Sequence, residues 1–165
     1  MRKTLKKRRK KCQTDYSKRI KLLQSGIPRI VFRRTNRYII AQYVTSKEAL
    51  DSIVVGISSK MLLNYGWPKE KEGSLKSTSA SYLTGFLLGK KIKDGKLETP
   101  ICDSGGIRNI RKNRFFSFLN GLQDSGVGIK CDKEFFPTED RIKGKHLKED
   151  FSKTFEAIKS KIEKE

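Results

Sequence analysis

Arg29-Ile30-Val31-Phe32-Arg33-Arg34, a polar break, then Tyr38-Ile39-Ile40-Ala41-Gln42-Tyr43-Val44-Thr45: these two runs set the sheet. Both are rich in β-branched and aromatic residues. Arg34-Thr35-Asn36-Arg37 between them has the composition of a hairpin turn. Alternation puts Ile30 and Phe32 on one face of the first strand and Arg29, Val31 and Arg33 on the other. Ser52-Ile53-Val54-Val55-Gly56-Ile57 reads as a third strand. Three strands in succession pair most simply as an antiparallel meander.

Upstream, Asp15 to Leu23 has helical spacing. Tyr16, Ile20 and Leu23 share a face, Thr14 is placed to cap the start, and Gly26 closes the end. Downstream, Ser58 and Ser59 open a short helix through Leu62 and Leu63 that stops at Gly66. The stretch from Trp67 to Ser77 reads as a loop. Ser79 to Lys93 carries Tyr82, Leu83, Phe86, Leu87 and Leu88 at helical spacing. Gly85 and Gly89 share one face of it. Glycine inside a helix costs about 1 kcal/mol against alanine, so close packing of helix on sheet is expected there. Leu97 to Cys102 reads as a strand, Asn113 to Ser125 as a helix with Phe115, Phe118, Leu119 and Leu122 inward, and Val127 to Lys130 as a last strand. Beyond Pro137 the chain turns polar, and Glu149 to Glu165 forms an amphipathic helix with Phe151, Phe155, Ile158 and Ile162. The order β-β-β-α-β-α-β predicts an α/β fold whose meander is extended by parallel crossovers, with helices covering the sheet. Residues 1–14 form a basic arm without order of its own, 15–131 the α/β domain, and 132–165 a C-terminal extension.

Charge is unevenly placed. The first 37 residues hold fifteen Lys and Arg against one acid, Asp15, out of a chain net charge of +20. Eight of those bases fall in the arm: Arg2, Lys3, Lys6, Lys7, Arg8, Arg9, Lys10 and Lys11. A polyanion-binding surface needs this asymmetry, because each neutralised phosphate releases counterions and adds sequence-independent affinity. The bases continue into periodic sequence at Arg19, Arg29, Arg33, Arg34 and Arg37, which a solvated tail does not require. A second cluster, Arg108, Arg111, Lys112 and Arg114, lies before a helix N-terminus, where backbone N–H groups already favour phosphate. No acid occurs from Ile107 to Asn120.

Other functions lack their residues. Cys12, Cys102 and Cys131 are odd in number and far apart, so neither a disulfide framework nor a zinc knuckle is indicated. The one histidine, His146, has no nucleophile or metal partners near it in sequence. Neither a Walker A run nor Gly-x-Gly-x-x-Gly is present. Asp103 stands beside Gly105-Gly106, but a two-metal nuclease needs several converging acids and the first two strands contain none, so a turn or capping role is expected. No apolar run approaches the roughly 18 residues of a membrane span, and the arm lacks the apolar core of a secretory signal. The expectation is a cytoplasmic RNA-binding protein with no cofactor, metal, membrane or small-molecule substrate.

Several blocks in order resemble one family. Thr14-Asp15-Tyr16, Leu22-Leu23-x-Ser25-Gly26-x-Pro28-Arg29 and Arg33-Arg34-x-Asn36-x-Tyr38-x-x-Ala41-Gln42 are similar to the opening of the universal large-subunit ribosomal protein eighteen family, in its archaeal and eukaryotic branch. Tyr65-Gly66-Trp67, Tyr82-Leu83-Thr84-Gly85 with Leu87-Leu88-Gly89-Lys90, and Pro137-Thr138-Glu139-x-Arg141-Ile142-x-Gly144-x-His146 resemble further blocks. Asp103-x-Gly105-Gly106 resembles a turn of bacterial members. The match runs over residues 13–147. The resemblance implies a three-layer α/β domain with a ribonuclease-H-like arrangement of strands and no catalysis. It implies binding of 5S rRNA and its attachment to the large-subunit rRNA at the central protuberance, beside neighbouring large-subunit ribosomal proteins. The residues it marks are the basic arm, Tyr16, Arg33, Arg34, Asn36 and Arg37; Tyr38 joins them as an aromatic able to stack on bases. Lys69 to Ser77 departs from the family pattern, and Ile107 to Asn113 is more basic than that pattern. The short stretch after Leu147 favours an archaeal source. The alternatives are a ribonuclease-H-like metal-dependent nuclease and a DNA-compacting chromosomal protein.

Overall fold

The computed structural model describes residues 6–11, 14–147 and 150–164. The hairpin reading holds. Strand β1 (Arg29–Arg34) pairs antiparallel with β2 (Ile39–Lys47), from Arg29 opposite Val44 to Arg34 opposite Ile39. Strand β3 (Leu50–Ser58) pairs antiparallel with β2 through a two-residue turn. Glu48 and Ala49 in that turn have φ of 49° and 64°, the left-handed pair that matches the twist of a tight hairpin. A register shift at Tyr43/Val44 marks a bulge. Strand β4 (Ile101–Asp103) lies parallel to β1, giving the order β3-β2-β1-β4. The crossover from β3 to β4 therefore passes over the two central strands.

Helix α3 (Thr78–Asp94) makes that crossover, and α4 (Arg114–Asp124) lies beside it on the same sheet face. Ile30, Phe32, Ile39, Ala41, Tyr43 and Ile57 point to these helices and are buried. The Phe32 ring sits 5.6 Å from Phe115 and 5.0 Å from Phe118. Full burial of one such side chain contributes about 2 kcal/mol. Behind α3 lie α5 (Glu139–Lys143) and α6 (Ser152–Lys164), so the fold has three layers with α3 in the middle. That position explains why α3 is buried on nearly every side: twelve of its residues are inaccessible. Phe151, Phe155, Ile158 and Ile162 close the outer layer against Trp67 and Tyr82. Among the described residues no helix is long and apolar enough to cross a membrane.

Several local expectations are corrected. The glycines of α3 admit α4, not the sheet: a Cβ at Gly85 would strike the Phe118 carbonyl, one at Gly89 the Ser125 side chain, and one at Gly121 the Tyr82 carbonyl. Two helix backbones come together there, and the Tyr82 hydroxyl donates to Asp124 across the seam. Residues 127–130 are not a strand. Gln123 Nε2 donates to Ile129 O at 2.6 Å and Ile129 N turns back to Val127 O, so the backbone is not offered to β4, although Val127 and Ile129 are buried as alternation requires. Strand β4 starts late because Pro100 has no N–H to donate, while Leu97 N is held by Ile92 O at the end of α3. Lys69–Ser74 is a 3-10 segment, not a loop.

Helix α2 (Tyr16–Gln24) lies across the opposite sheet face. Asp15, not Thr14, caps it, accepting from Ser17 N and Lys18 N at 3.1 and 3.2 Å. None of its residues is buried. It is held by polar side chains: Lys18 Nζ donates to Ser104 Oγ at 2.9 Å, and Arg19 pairs with Asp51 at 2.9 Å.

Candidate nucleic-acid interface

The β1–β2 turn is built by Thr35. Its hydroxyl accepts from Tyr38 N at 2.9 Å and donates to Tyr38 O at 2.7 Å, which tightens the tip. Arg34, Asn36 and Arg37 are exposed around it and Tyr38 is half-buried.

The second cluster is shaped by Asn113. Its Oδ1 accepts from Phe116 N at 3.0 Å, capping α4, and its Nδ2 donates to Arg108 O at 3.2 Å. Lys112 has φ 59°, and its N–H donates to Phe135 O at 2.8 Å. A non-glycine residue in this region is uncommon, and here it redirects the loop so that Arg114 begins the helix. Arg111 stacks over the Phe135 ring at 5.2 Å and lies 3.9 Å from Glu134.

Two regions seventy residues apart in sequence meet in one cleft of about 660 Å³. Arg33 and Arg34 enter from the hairpin, Arg108, Lys112 and Arg114 from the loop and helix, and Arg141 from α5; none of the described residues that line the cleft is acidic. Burial and then the neighbouring Arg34 charge push the Arg114 guanidinium below its usual pKa. Like charges crowded without a carboxylate lower the cost of bringing in an anion. Arg141 is a member that charge clustering missed, since it stands alone in a mixed-charge stretch; it falls within the Pro137–His146 block that the resemblance marked.

A second cleft of about 430 Å³ lies between α2 and the sheet, lined by Arg8, Lys18, Arg19 and Arg33 with Asp15 and Asp103. Here the acids are spent on the fold. Asp103 Oδ1 accepts from Gly105 N at 2.8 Å and Oδ2 pairs with Arg33 at 3.2 Å, the turn role expected of it. Gly105, at φ 59°, has the Arg33 guanidinium where a Cβ would stand.

Arg29 is the one correction among the expected RNA contacts whose side chain is described. It is 3% exposed, and its Nη2 donates to Asp51 Oδ1 at 2.7 Å and Ser46 Oγ at 3.0 Å. The guanidinium serves the sheet and does not reach the surface. In the arm, Lys7 to Lys10 forms one helical turn, α1, where no order was expected. Arg8 Nε donates to Thr14 Oγ1 at 3.0 Å and the Lys6 ammonium sits 4.6 Å from the Tyr16 ring centre. Lys7, Lys10 and Lys11 are exposed. Arg2, Lys3 and the Arg9 side chain lie outside the described residues. Cys102 and Cys131 are unpaired, and burial pushes the Cys102 thiol up to about 12. Among the described residues no group of three or more His, Cys, Asp or Glu is placed to hold a metal.

Fold and cleft define the class: a basic α/β domain with a groove lined by six Lys and Arg, none of whose described lining residues is acidic. Residues 2–100 match the family of ribosomal large subunit proteins 60S L5 and 50S L18. The chain is 39% identical over 141 residues to the large ribosomal subunit protein uL18 of Korarchaeum cryptofilum, covering 86% of this chain and 70% of the relative. It is 37% identical to the uL18 of Methanoregula boonei and 39% to that of Methanoculleus marisnigri, covering 96% of this chain and at least 92% of each relative. The chain belongs to this family of structural proteins of the large ribosomal subunit.

Proposed function

We propose that the chain binds 5S rRNA and attaches it to the large-subunit rRNA at the central protuberance of cytoplasmic ribosomes, beside neighbouring large-subunit proteins and without catalysis. The observation that carries this reading is the cleft itself. Arginines from the hairpin, the 108–114 loop and α5 converge with no acid among them. Affinity comes from Lys and Arg on phosphates; selectivity comes from RNA shape, unstacked bases and 2′-hydroxyls. Residues 1–14 add phosphate contacts as an arm, 15–131 form the binding domain, and 132–165 brace it from behind.

The test is titration of the full chain against a 5S rRNA transcript and against duplex DNA of equal length. If six or more phosphates are neutralised, raising salt from about 50 to 200 mM lowers affinity roughly a thousandfold, and RNA is preferred throughout. Equal affinity for DNA points instead to a chromosomal protein. The planar forks of Arg34 and Arg37 are tested by changing both to Lys, which keeps charge and is expected to lose about 1–3 kcal/mol of binding. Incubation with RNA–DNA hybrid and Mg²⁺ or Mn²⁺ is expected to give no cleavage.

A further inference from the structure

The segment after β3 grips the hairpin at three points. Ser59 is fully buried; its hydroxyl accepts from Ile39 N at 3.0 Å, at the start of β2, and donates to Leu75 O at 2.7 Å. The Lys60 ammonium lies 4.7 Å from the Tyr38 ring centre. Lys76 Nζ donates to Asn36 O, at the tip of the turn, at 2.6 Å. The platform beneath Lys76 is firm: Leu75 is 1% exposed in the core, and Ser74 Oγ and Trp67 Nε1 both donate to Lys71 O, at 2.6 and 3.0 Å. Lys76 therefore joins a fixed segment to the carbonyl between Arg34 and Arg37.

We infer that Lys76 is a positioning residue for RNA recognition: it fixes the Asn36 carbonyl and so sets the directions in which Arg34, Asn36 and Arg37 project. This rests on the rRNA-binding reading and deepens it. A hairpin tip left unbraced samples several conformations and must be ordered on binding, which subtracts from affinity. A charge-assisted hydrogen bond to the tip backbone, strung on a buried Ser59–Leu75 link, provides that order in the free protein. The departure of Lys69 to Ser77 from the family pattern thus falls on the segment that carries the brace.

A lysine at this place has a second use, as one more phosphate contact, and salt dependence separates the two. The full chain and its variants are titrated with a 5S rRNA transcript from 50 to 200 mM salt. Lys76→Met is expected to weaken binding about tenfold, the size of one charged hydrogen bond, with the slope of log affinity on log salt unchanged. In the Arg34→Lys, Arg37→Lys background the same change adds little, because it acts through those forks. Lys76→Arg, which keeps a donor, restores most of the affinity. A slope smaller by about one unit, with full additivity in that background, makes Lys76 a phosphate contact and overturns the inference, as does unchanged affinity. Lys76 is half-buried, so thermal unfolding of each variant is measured alongside and is expected to match the parent; Ser59→Ala reports on the same brace from its buried side. If the double Lys variant itself binds normally, the hairpin reading fails and takes this inference with it. If that variant is impaired but Lys76→Met is not, only the inference fails.

Discussion

The two ends of β1 carry arginine in opposite states. Arg29 opens the strand and is 3% exposed, with one nitrogen shared between Asp51 and Ser46. Arg34 closes it, exposed on a cleft with no acid among its described lining residues. Four residues separate them, and both belong to one basic run in the sequence. The difference is made from outside the strand. β3 returns to deliver Asp51 to Arg29 and to Arg19 of α2, whereas α4 and α5 bring Arg114 and Arg141 toward Arg34. An arginine neutralised at home stabilises the fold; one surrounded by its own kind is kept for a ligand.

The strongest test of this contrast removes the crowded pair. Arg34→Ala with Arg114→Ala is expected to weaken rRNA binding about a hundredfold or more, counting about 1.5–3 kcal/mol for each charged hydrogen bond lost. Thermal unfolding should not fall, since the change relieves like-charge crowding and takes a cation off a helix N-terminus. A large drop in melting temperature would show that the cleft is structural. At the other end, Asp51→Ala strands a buried guanidinium. Breaking a buried pair costs about 3–5 kcal/mol, but water reaches Asp51, whose side chain is 32% exposed. About 2 kcal/mol of stability is therefore expected, read by denaturant unfolding, with rRNA affinity nearly unchanged.

Acid should reproduce that loss. Burial raises the Asp51 pKa, but hydrogen bonds from Ser46 and Arg19 and the charges of Arg29 and Arg19 outweigh it, so the folded value lies below 3.8. A carboxyl with a depressed folded pKa stabilises fully above its unfolded value and loses this as pH falls through the folded one. The stability gap between the parent and Asp51→Asn should therefore be constant from neutral pH down to about 4 and close below it. A gap that persists in strong acid would mean that the hydrogen-bonding pattern of the carboxyl group, and not its charge, carries the effect.

The sequence carried the sheet because the hairpin signal is local: alternation in 29–34 and 38–45 around a Thr-Asn turn. It carried the helices because Phe115, Phe118, Leu119 and Leu122 recur at helical spacing. It misread 127–130 because alternation reports which side chains are buried, not where the backbone hydrogen bonds go, and Gln123 had taken Ile129 O. The same limit governs the site. Arg33, Arg34 and the 108–114 cluster were legible as charge. That they meet, that Arg141 joins them and that Asp51 withdraws Arg29 all depend on contacts across tens of residues. Lys76 looked like one more base in a polar stretch until its carbonyl partner came from the hairpin tip.

Arg33 lies between the two states and gives the smallest and most delicate test. It is half-exposed and borders both clefts, yet Asp103 holds it at 3.2 Å. Asp103→Asn keeps an oxygen for Gly105 N and so preserves the turn, while it removes the negative charge that pairs with Arg33. Two readings of Asp103 then predict opposite signs. If it were a metal-binding or catalytic carboxylate, its loss would reduce whatever the protein does to nucleic acid. If it is a turn residue that also tethers Arg33, its loss frees a cation at the mouth of the basic cleft. The Asp103 side chain is nearly buried, but Arg33 is half-exposed to water, which keeps the pair near the value of an exposed one, about 0.2–1 kcal/mol. Affinity for rRNA at low salt should therefore rise about twofold to fivefold, and stability should fall by no more than that energy. The gain should vanish at high salt, where exposed charges are screened. Weaker binding at low salt, in a variant that folds and melts like the parent, would show that the Asp103–Arg33 pair orients the arginine for the RNA, placing Arg33 with the braced hairpin instead of with the tethered Arg29.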